Sequence, residues 1–385
     1  MRHALFAHQD GRNNVMSDNP RATIAFLTGA RIIGGAEIRL KSLMLGLATR
    51  GFQPVLVAPA TSPIAVWALN SGLTVVNFDF RSLKSGSILE TLRYVLRFRR
   101  LVRKLQSDFG VDVAYSNSRH AFTVLAFAPR GVTRIAHHRD AHSSAFNRIL
   151  YPLVDLNIFI SKFNYRASDA PKNAVIVVNA IDLVEPLPPK VYRGGKFRMA
   201  MFARITSYKG HLIALDAVRE LVARGVDCCL DVWGEPTDSY DEQLLESLVA
   251  EVAKHKIPVN FRGFTESARE RMADYDLLLN PSRNEPFGTV PIEGFNVGVP
   301  VVSHASGGSL EIYPKEQAEC FLFDDYSGQS LADKIDGIRL GMVEGDDFLA
   351  LVSRMQQHVV RNFSNTRVFG EIEQAIIQAM RGEVK

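Results

Sequence analysis

Apolar and polar positions along the chain fall into two alternating kinds of segment. Short runs rich in β-branched and aromatic residues are separated by longer stretches with apolar residues at helical spacing. The first half carries seven such runs, at 22–28, 54–58, 74–78, 112–115, 133–136, 156–160 and 174–178. Between them, segments such as 36–50 and 87–107 repeat their apolar residues with a helical period. This strand–helix alternation predicts an α/β protein built on parallel sheet with helices on both faces.

At 183–196 the pattern breaks. Leu183-Val-Glu-Pro-Leu-Pro-Pro-Lys-Val-Tyr-Arg-Gly-Gly-Lys196 is rich in Pro and Gly and reads as a linker. Alternation restarts with runs at 198–202, 228–233, 258–261, 276–279 and 299–303. Two doubly wound, Rossmann-like domains are therefore expected, over 21–184 and 197–364, with a linker at 185–196. A length of 385 residues agrees, since it exceeds what one core usually spans. The polar, turn-rich stretch 1–20 reads as a disordered tail. A helical pattern over 366–380 lies in a closing segment, 365–385.

Composition narrows the class. The chain is 46% hydrophobic and 22% charged, as in a soluble globular protein. No apolar run reaches the roughly 18 residues that span a membrane. The N-terminus has no apolar signal core, so a cytoplasmic location is expected. Cys228, Cys229 and Cys320 have no metal-ligand spacing, and the adjacent pair reads as reduced core residues. Charge divides the chain. Residues 1–190 hold 24 Lys and Arg against 12 Asp and Glu, whereas 191–385 hold 21 against 29. A basic half suggests an anionic partner such as lipid headgroups, a phosphorylated acceptor or nucleic acid. Within it, 93–105 is a basic stretch with helical apolar spacing. It reads either as an interfacial helix on anionic lipid or as a sheet-covering helix with a solvated basic face.

Four strand ends carry candidate chemistry. The first strand runs into Gly29-Ala-Arg-Ile-Ile-Gly34-Gly35-Ala36-Glu37 and then a helix. Glycines there let backbone amides approach an anion at a helix N-terminus, although the same loop suits a tight connection. It lacks the Lys and Ser/Thr of a P-loop and is not G-x-G-x-x-G. In the second half, Arg204 and Lys209 stand together after a strand. Two cations there suit a diphosphate, the alternative being a solvated loop. Asn284-Glu285-Pro-Phe287-Gly288-Thr289-Val290-Pro291-Ile-Glu293 follows a third strand. Pro291 suits a first helical turn, which puts Glu293 at the helix start. Carboxylates can accept from vicinal sugar hydroxyls, and the amides between them can face phosphate. Finally, His137-His138-Arg139-Asp140 ends a strand of the first half. These four are candidates for sugar or acceptor contacts, or else a structural histidine and a surface ion pair.

The ordered set resembles retaining glycosyltransferases of family 4. Glu285-Pro-Phe-Gly-Thr-Val-Pro-Ile-Glu293 resembles their E-x7-E motif, and Gly34-Gly35-Ala36-Glu37 their N-terminal glycine loop. Val178-Asn179-Ala180-Ile181-Asp182 resembles their "NGID" segment, with Ala180 in place of the usual glycine. Arg204 and Lys209-Gly210 match their diphosphate-binding pair, with Ala203 where glycine is common. Gly298-Val-Pro-Val-Val302, then Gly307-Gly308 and Glu311, resembles the strand and loop after E-x7-E.

The resemblance spans nearly the whole chain after the tail. It implies a GT-B fold, two Rossmann-like domains facing each other across a cleft, with 365–385 crossing back onto the first. It implies that Glu293 bonds ribose hydroxyls and that Glu285 lies near the donor sugar. Gly34, Gly35, Phe287, Gly288, Thr289 and Val290 then line the donor pocket. Arg204 and Lys209 neutralise the departing diphosphate, which does the work of a metal elsewhere. No Asp-x-Asp motif is present, and neither metal nor other cofactor is expected. The family histidine that touches the donor sugar falls on His137 first and His138 second, because side chains alternate along a strand and one should face the cleft. His138, Arg139 and Asp140 become acceptor-side candidates. The leaving phosphate, not a side chain, takes the acceptor proton.

The expected partners are a nucleotide-sugar donor, UDP- or GDP-linked, and a saccharide or lipid-linked saccharide acceptor. Peripheral contact with the inner face of an anionic membrane would run through the basic domain. A sugar-nucleotide epimerase of related fold, or a non-catalytic two-lobed binding protein, is the alternative. An epimerisation assay separates the first, and the missing signal core weighs against the second. Nothing resembles a nucleic-acid recognition module, so no nucleic acid is expected.

Overall fold

A computed structural model describes residues 20–83, 86–140, 144–169 and 171–384. Residues 1–19 of the expected tail lie outside the described residues. The chain divides into two compact units. One comprises residues 1–180 with 365–385, the other 181–364.

The first unit is built on seven strands. They are β1 (Ala22–Leu27), β2 (Phe52–Ala58), β3 (Thr74–Asn77), β4 (Val111–Ser116), β5 (Thr133–His138), β6 (Leu156–Phe159) and β7 (Ala174–Ile176). Their order is β3-β2-β1-β4-β5-β6-β7, and every neighbouring pair is parallel. Strands buried on both faces need apolar side chains on both, and β1 is buried at every position. One face packs helices Gly35–Ala48, Pro63–Asn70 and Asn365–Met380 around Ile24, Phe26, Leu56 and Tyr115. The other packs helices Ile88–Phe109 and Arg119–Leu125 around Ala25, Leu27, Val55 and Phe159. The closing helix Asn365–Met380 is thus part of this core, through Val368, Phe369, Ile372 and Ile376.

The second unit holds β8 (Phe197–Phe202), β9 (Cys228–Trp233), β10 (Val259–Gly263), β11 (Leu277–Asn280), β12 (Val301–His304) and β13 (Leu322–Phe323). Their order is β10-β9-β8-β11-β12-β13, again all parallel. β13 was not anticipated from the sequence, because two residues are too few to show a period. The Pro-rich segment forms no helix or strand over 182–196 and lies on this unit. Val184 and Asn296 exchange hydrogen bonds of 2.9 and 3.1 Å, and the Lys190 amide donates to Gly298 O at 2.8 Å. All three cysteines are free, with Cys228 buried and Cys320 exposed.

Both sheets reverse their winding once, between β1 and β4 and between β8 and β11. Loops leaving the carboxyl ends of two such strands diverge to opposite sides and leave a crevice, which is where open α/β sheets bind ligands.

Candidate functional site

In the second unit the switch point collects the predicted residues. Arg204 follows β8, and Lys209 ends a short 3₁₀ turn, Ser207–Lys209, before helix His211–Ala223. The loop after β11 carries Glu285, and helix Val290–Asn296 begins with Pro291 and Glu293 in its first turn. Because β8 and β11 are neighbours, these loops leave the same sheet end side by side. Lys209 Nζ meets Glu285 Oε1 at 2.5 Å, with both side chains about 15% exposed or less. The other oxygen, Glu285 Oε2, is buried with no hydrogen-bond partner among the described residues. A Cβ on Gly288 would lie 3.4 Å from it, so the Phe287-Gly288-Thr289 turn wraps this carboxylate. Phe287 is buried against Phe363 and anchors the turn. Arg204 reaches Tyr208 Oη at 3.3 Å and is otherwise exposed.

Local backbone holds this geometry. Gly210 has φ +80°, and a Cβ there would stand 2.6 Å from Pro281 O. The Lys209 turn therefore presses directly on the loop after β11, where only glycine fits. From the other side, the Gly308 amide donates to Glu285 O at 2.8 Å and Ser306 Oγ accepts from the Asn284 amide at 2.9 Å. His304 at the end of β12 bonds Ser306 Oγ at 2.7 Å. Sequence reasoning passed over His211. It is buried, neither ring nitrogen has a hydrogen-bond partner among the described residues, and burial beside Lys209 pushes its pKa down to about 4.

In the first unit the switch point opens into a cavity of about 150 Å³, lined among others by Glu37, Asn117, His137, His138, Arg139 and Asp140. Gly34 caps helix Gly35–Ala48, and its amide donates to Glu37 Oε2 at 3.1 Å. One amide of the glycine loop is therefore occupied by the chain's own carboxylate, whose burial raises its pKa. Arg139 does not pair with Asp140. Its Nε donates to Asn117 Oδ1 and its guanidinium to Asn179 Oδ1, both at 2.7 Å. Two neutral amides thus orient a charged guanidinium at the cavity. Asp140 is exposed and 3.8 Å from Arg119.

The two histidines lie on opposite faces of β5, as alternation requires, yet both line the cavity. Alternation separates faces within a sheet; it does not separate them at a strand end, where both faces open onto the same space. His138 sits among Phe122, Tyr151 and Phe159 and bonds Asn157 Oδ1 through Nε2 at 2.9 Å. Burial lowers its pKa to about 4. His137 Nδ1 is 2.6 Å from Tyr115 Oη, and burial holds this imidazole neutral as well. Tyr115 stays a phenol, its pKa pushed up by burial, and its hydroxyl and Nδ1 share one hydrogen bond whose direction follows the imidazole tautomer. The other ring nitrogen, Nε2, is buried with no hydrogen-bond partner among the described residues. Tyr115 and Asn117 escaped sequence reading because only the β4–β5 register sets them beside His137 and Arg139.

Among the described residues no cluster of three or more His, Cys, Asp or Glu side chains is placed to hold a metal ion. No described helix is long and apolar enough to cross a membrane.

A family model described as glycosyl transferases group 1 matches residues 196–338, which contain the Lys209–Glu285 pair. The match covers 143 of the 385 residues. Glycogen synthase of Yersinia pseudotuberculosis is 33% identical over 146 residues, covering 35% of this chain and 29% of that protein. The chain thus spans under a third of the curated relative it matches. Solved structures extend the likeness of fold. HepE of Anabaena, crystallised with UDP and glucose, superposes with a TM-score of 0.76 at 20% identity, over 93% of this chain and 100% of that one. A glycosyltransferase of Rickettsia africae superposes with a TM-score of 0.79 at 16% identity, over 94% and 98%. The two parallel α/β sheets are those of a GT-B-like fold.

Proposed function

We propose that the chain transfers a sugar from a nucleotide-diphosphate donor to an acceptor hydroxyl with retention of anomeric configuration. One observation carries the reading. Lys209 and Glu285 lie 76 positions apart yet meet at the switch point of the sheet, inside the segment matching the family. A carboxylate with one oxygen held by a cation and the other unpartnered suits a sugar hydroxyl. Lys209 and Arg204 then neutralise the diphosphate as the anomeric carbon–oxygen bond breaks. A new bond forms from the acceptor oxygen on the same face, and its proton passes to the departing phosphate oxygen. Glu293 takes the ribose hydroxyls, amides from Phe287 to Val290 line the pocket, and no metal is required.

By this reading the second unit holds the donor and the first holds the acceptor. Gly34 and Gly35 border the donor, His137 meets its sugar, and His138, Arg139 and Asp140 lie on the acceptor side. UDP is the first nucleotide to try and GDP the second. The acceptor is a saccharide or lipid-linked saccharide of bacterial cell-surface polysaccharide, lipopolysaccharide or glycolipid synthesis. The work takes place in the cytoplasm, with the basic unit at an anionic membrane.

Thermal unfolding in the presence of UDP, GDP and a panel of nucleotide sugars tests the donor site. A ligand at a hundred times its Kd adds about 2.7 kcal/mol to stability. At least one should raise the transition, and Glu293→Ala should abolish that shift. A transition unmoved by every nucleotide would overturn the reading.

A further inference from the structure

We infer that the outward face of helix Ile88–Phe109 is a docking surface for an anionic lipid bilayer. This deepens the reading above, which places the acceptor at a membrane. The helix is rigidly begun and ended. Ser87 and Glu90 form a reciprocal capping box, and Gly110 closes the other end in the left-handed conformation. Its inward face is fully used, with Tyr94, Phe98, Val102 and Leu105 buried in the sheet-covering core. The opposite face is unusual. Ile88, Leu89, Leu92 and Leu96 are 91%, 55%, 54% and 42% exposed. Ile88, Leu92 and Leu96 follow at i, i+4 and i+8, so they form one stripe.

Charge completes the face. Arg93, Arg97, Arg100 and Arg103 are exposed on the same side of the helix or its flank. Among the described residues none of these four forms an ion pair with a carboxylate. A solvated surface helix needs no aliphatic stripe, and four aliphatics together exceed the scattered exposure normal for a monomer. The occupant must accept aliphatic side chains and also bring negative charge. Nucleic acid supplies only the second. A second copy of this face would set arginines against arginines. A bilayer with anionic headgroups offers both, its acyl boundary taking the stripe and its phosphates the arginines. Of the two readings of 93–105, sheet covering accounts for the inward face, and the proposal assigns the outward basic face to lipid rather than to water alone.

The test is co-flotation of the full chain with vesicles of phosphatidylglycerol and phosphatidylcholine in equal parts, and with phosphatidylcholine alone. Binding should appear with the first and be largely absent with the second. Leu92→Ser with Leu96→Ser should weaken partitioning at least tenfold. Each of Arg93→Gln, Arg97→Gln and Arg100→Gln should weaken it roughly fivefold, and more so at low salt. All these positions are exposed, so the variants should keep the wild-type unfolding temperature and any nucleotide-induced shift. That shift scores the donor site separately, so failure of one does not imply failure of the other. No flotation of the wild type, or equal flotation of wild type and variants, overturns the proposal. Light scattering supplies the last arm, since a wild-type dimer that the leucine variants abolish would assign the face to a second copy.

Discussion

The two switch points hold their polar groups by opposite means. In the second unit, Lys209 and Glu285 form an ion pair with each other. In the first, His137 and His138 bond Tyr115 and Asn157 rather than a carboxylate, and burial holds them neutral, their pKa values driven down. A buried charge is tolerated when a counter-charge touches it; without one, the group gives up its proton. The difference suits the chemistry proposed for each. A diphosphate needs cations already in place, whereas a neutral imidazole can hydrogen-bond a hydroxyl without adding charge.

The comparison is tested most severely at Lys209. Lys209→Ala should lower turnover on the order of 10²–10³-fold, measured at a temperature where the variant remains folded. Unchanged turnover would remove the charged site from the mechanism. Next is the pH dependence of stability. His138 and His211 have folded pKa values near 4, below the ordinary value of 6.5. Between these values the unfolded chain binds more protons, so stability should fall as pH drops from about 6.5 towards 4. Each histidine contributes about 1.4 kcal/mol per pH unit inside the window. Denaturant unfolding at a series of pH values measures the slope, and His211→Gln should flatten it. An unaltered slope would show that His211 is not held neutral by burial.

Smaller effects sharpen the picture. Tyr115→Phe leaves His137 Nδ1 buried without its hydrogen-bond partner, at a cost of about 1–3 kcal/mol. Ring ¹⁵N NMR should show a single neutral tautomer of His137 in the wild type and a mixture in the variant. Gly210→Ala meets both a φ of +80° and Pro281 O at 2.6 Å, and should cost about 1–3 kcal/mol by thermal unfolding. The least change is expected from a chelator, which should leave turnover as it was. Loss of activity restored by magnesium or manganese would refute a purely side-chain neutralisation of the diphosphate.

Much of the fold was legible in advance. All twelve anticipated strand runs overlap strands, because burial on both faces of a parallel sheet leaves apolar runs that sequence displays directly. Glu293 in a first helical turn followed from Pro291 alone. The site was legible only as a set of strand ends. Which of His137 and His138 to prefer was argued from alternation, and the strand end made that argument moot. Arg139 was read beside Asp140 and instead takes Asn117 and Asn179.

What the sequence determined by itself is whatever rests on neighbouring residues: periodicity, the glycine turns, the proline at a helix start, and the order of motifs. Tertiary structure alone decided that Lys209 grips Glu285, that Tyr115 orients His137, and that four aliphatic residues of helix Ile88–Phe109 face outward. Those outcomes depend on strand register and on which helix face meets the sheet. Both are set by packing between segments far apart in the chain, and burial then decides which groups keep their charge.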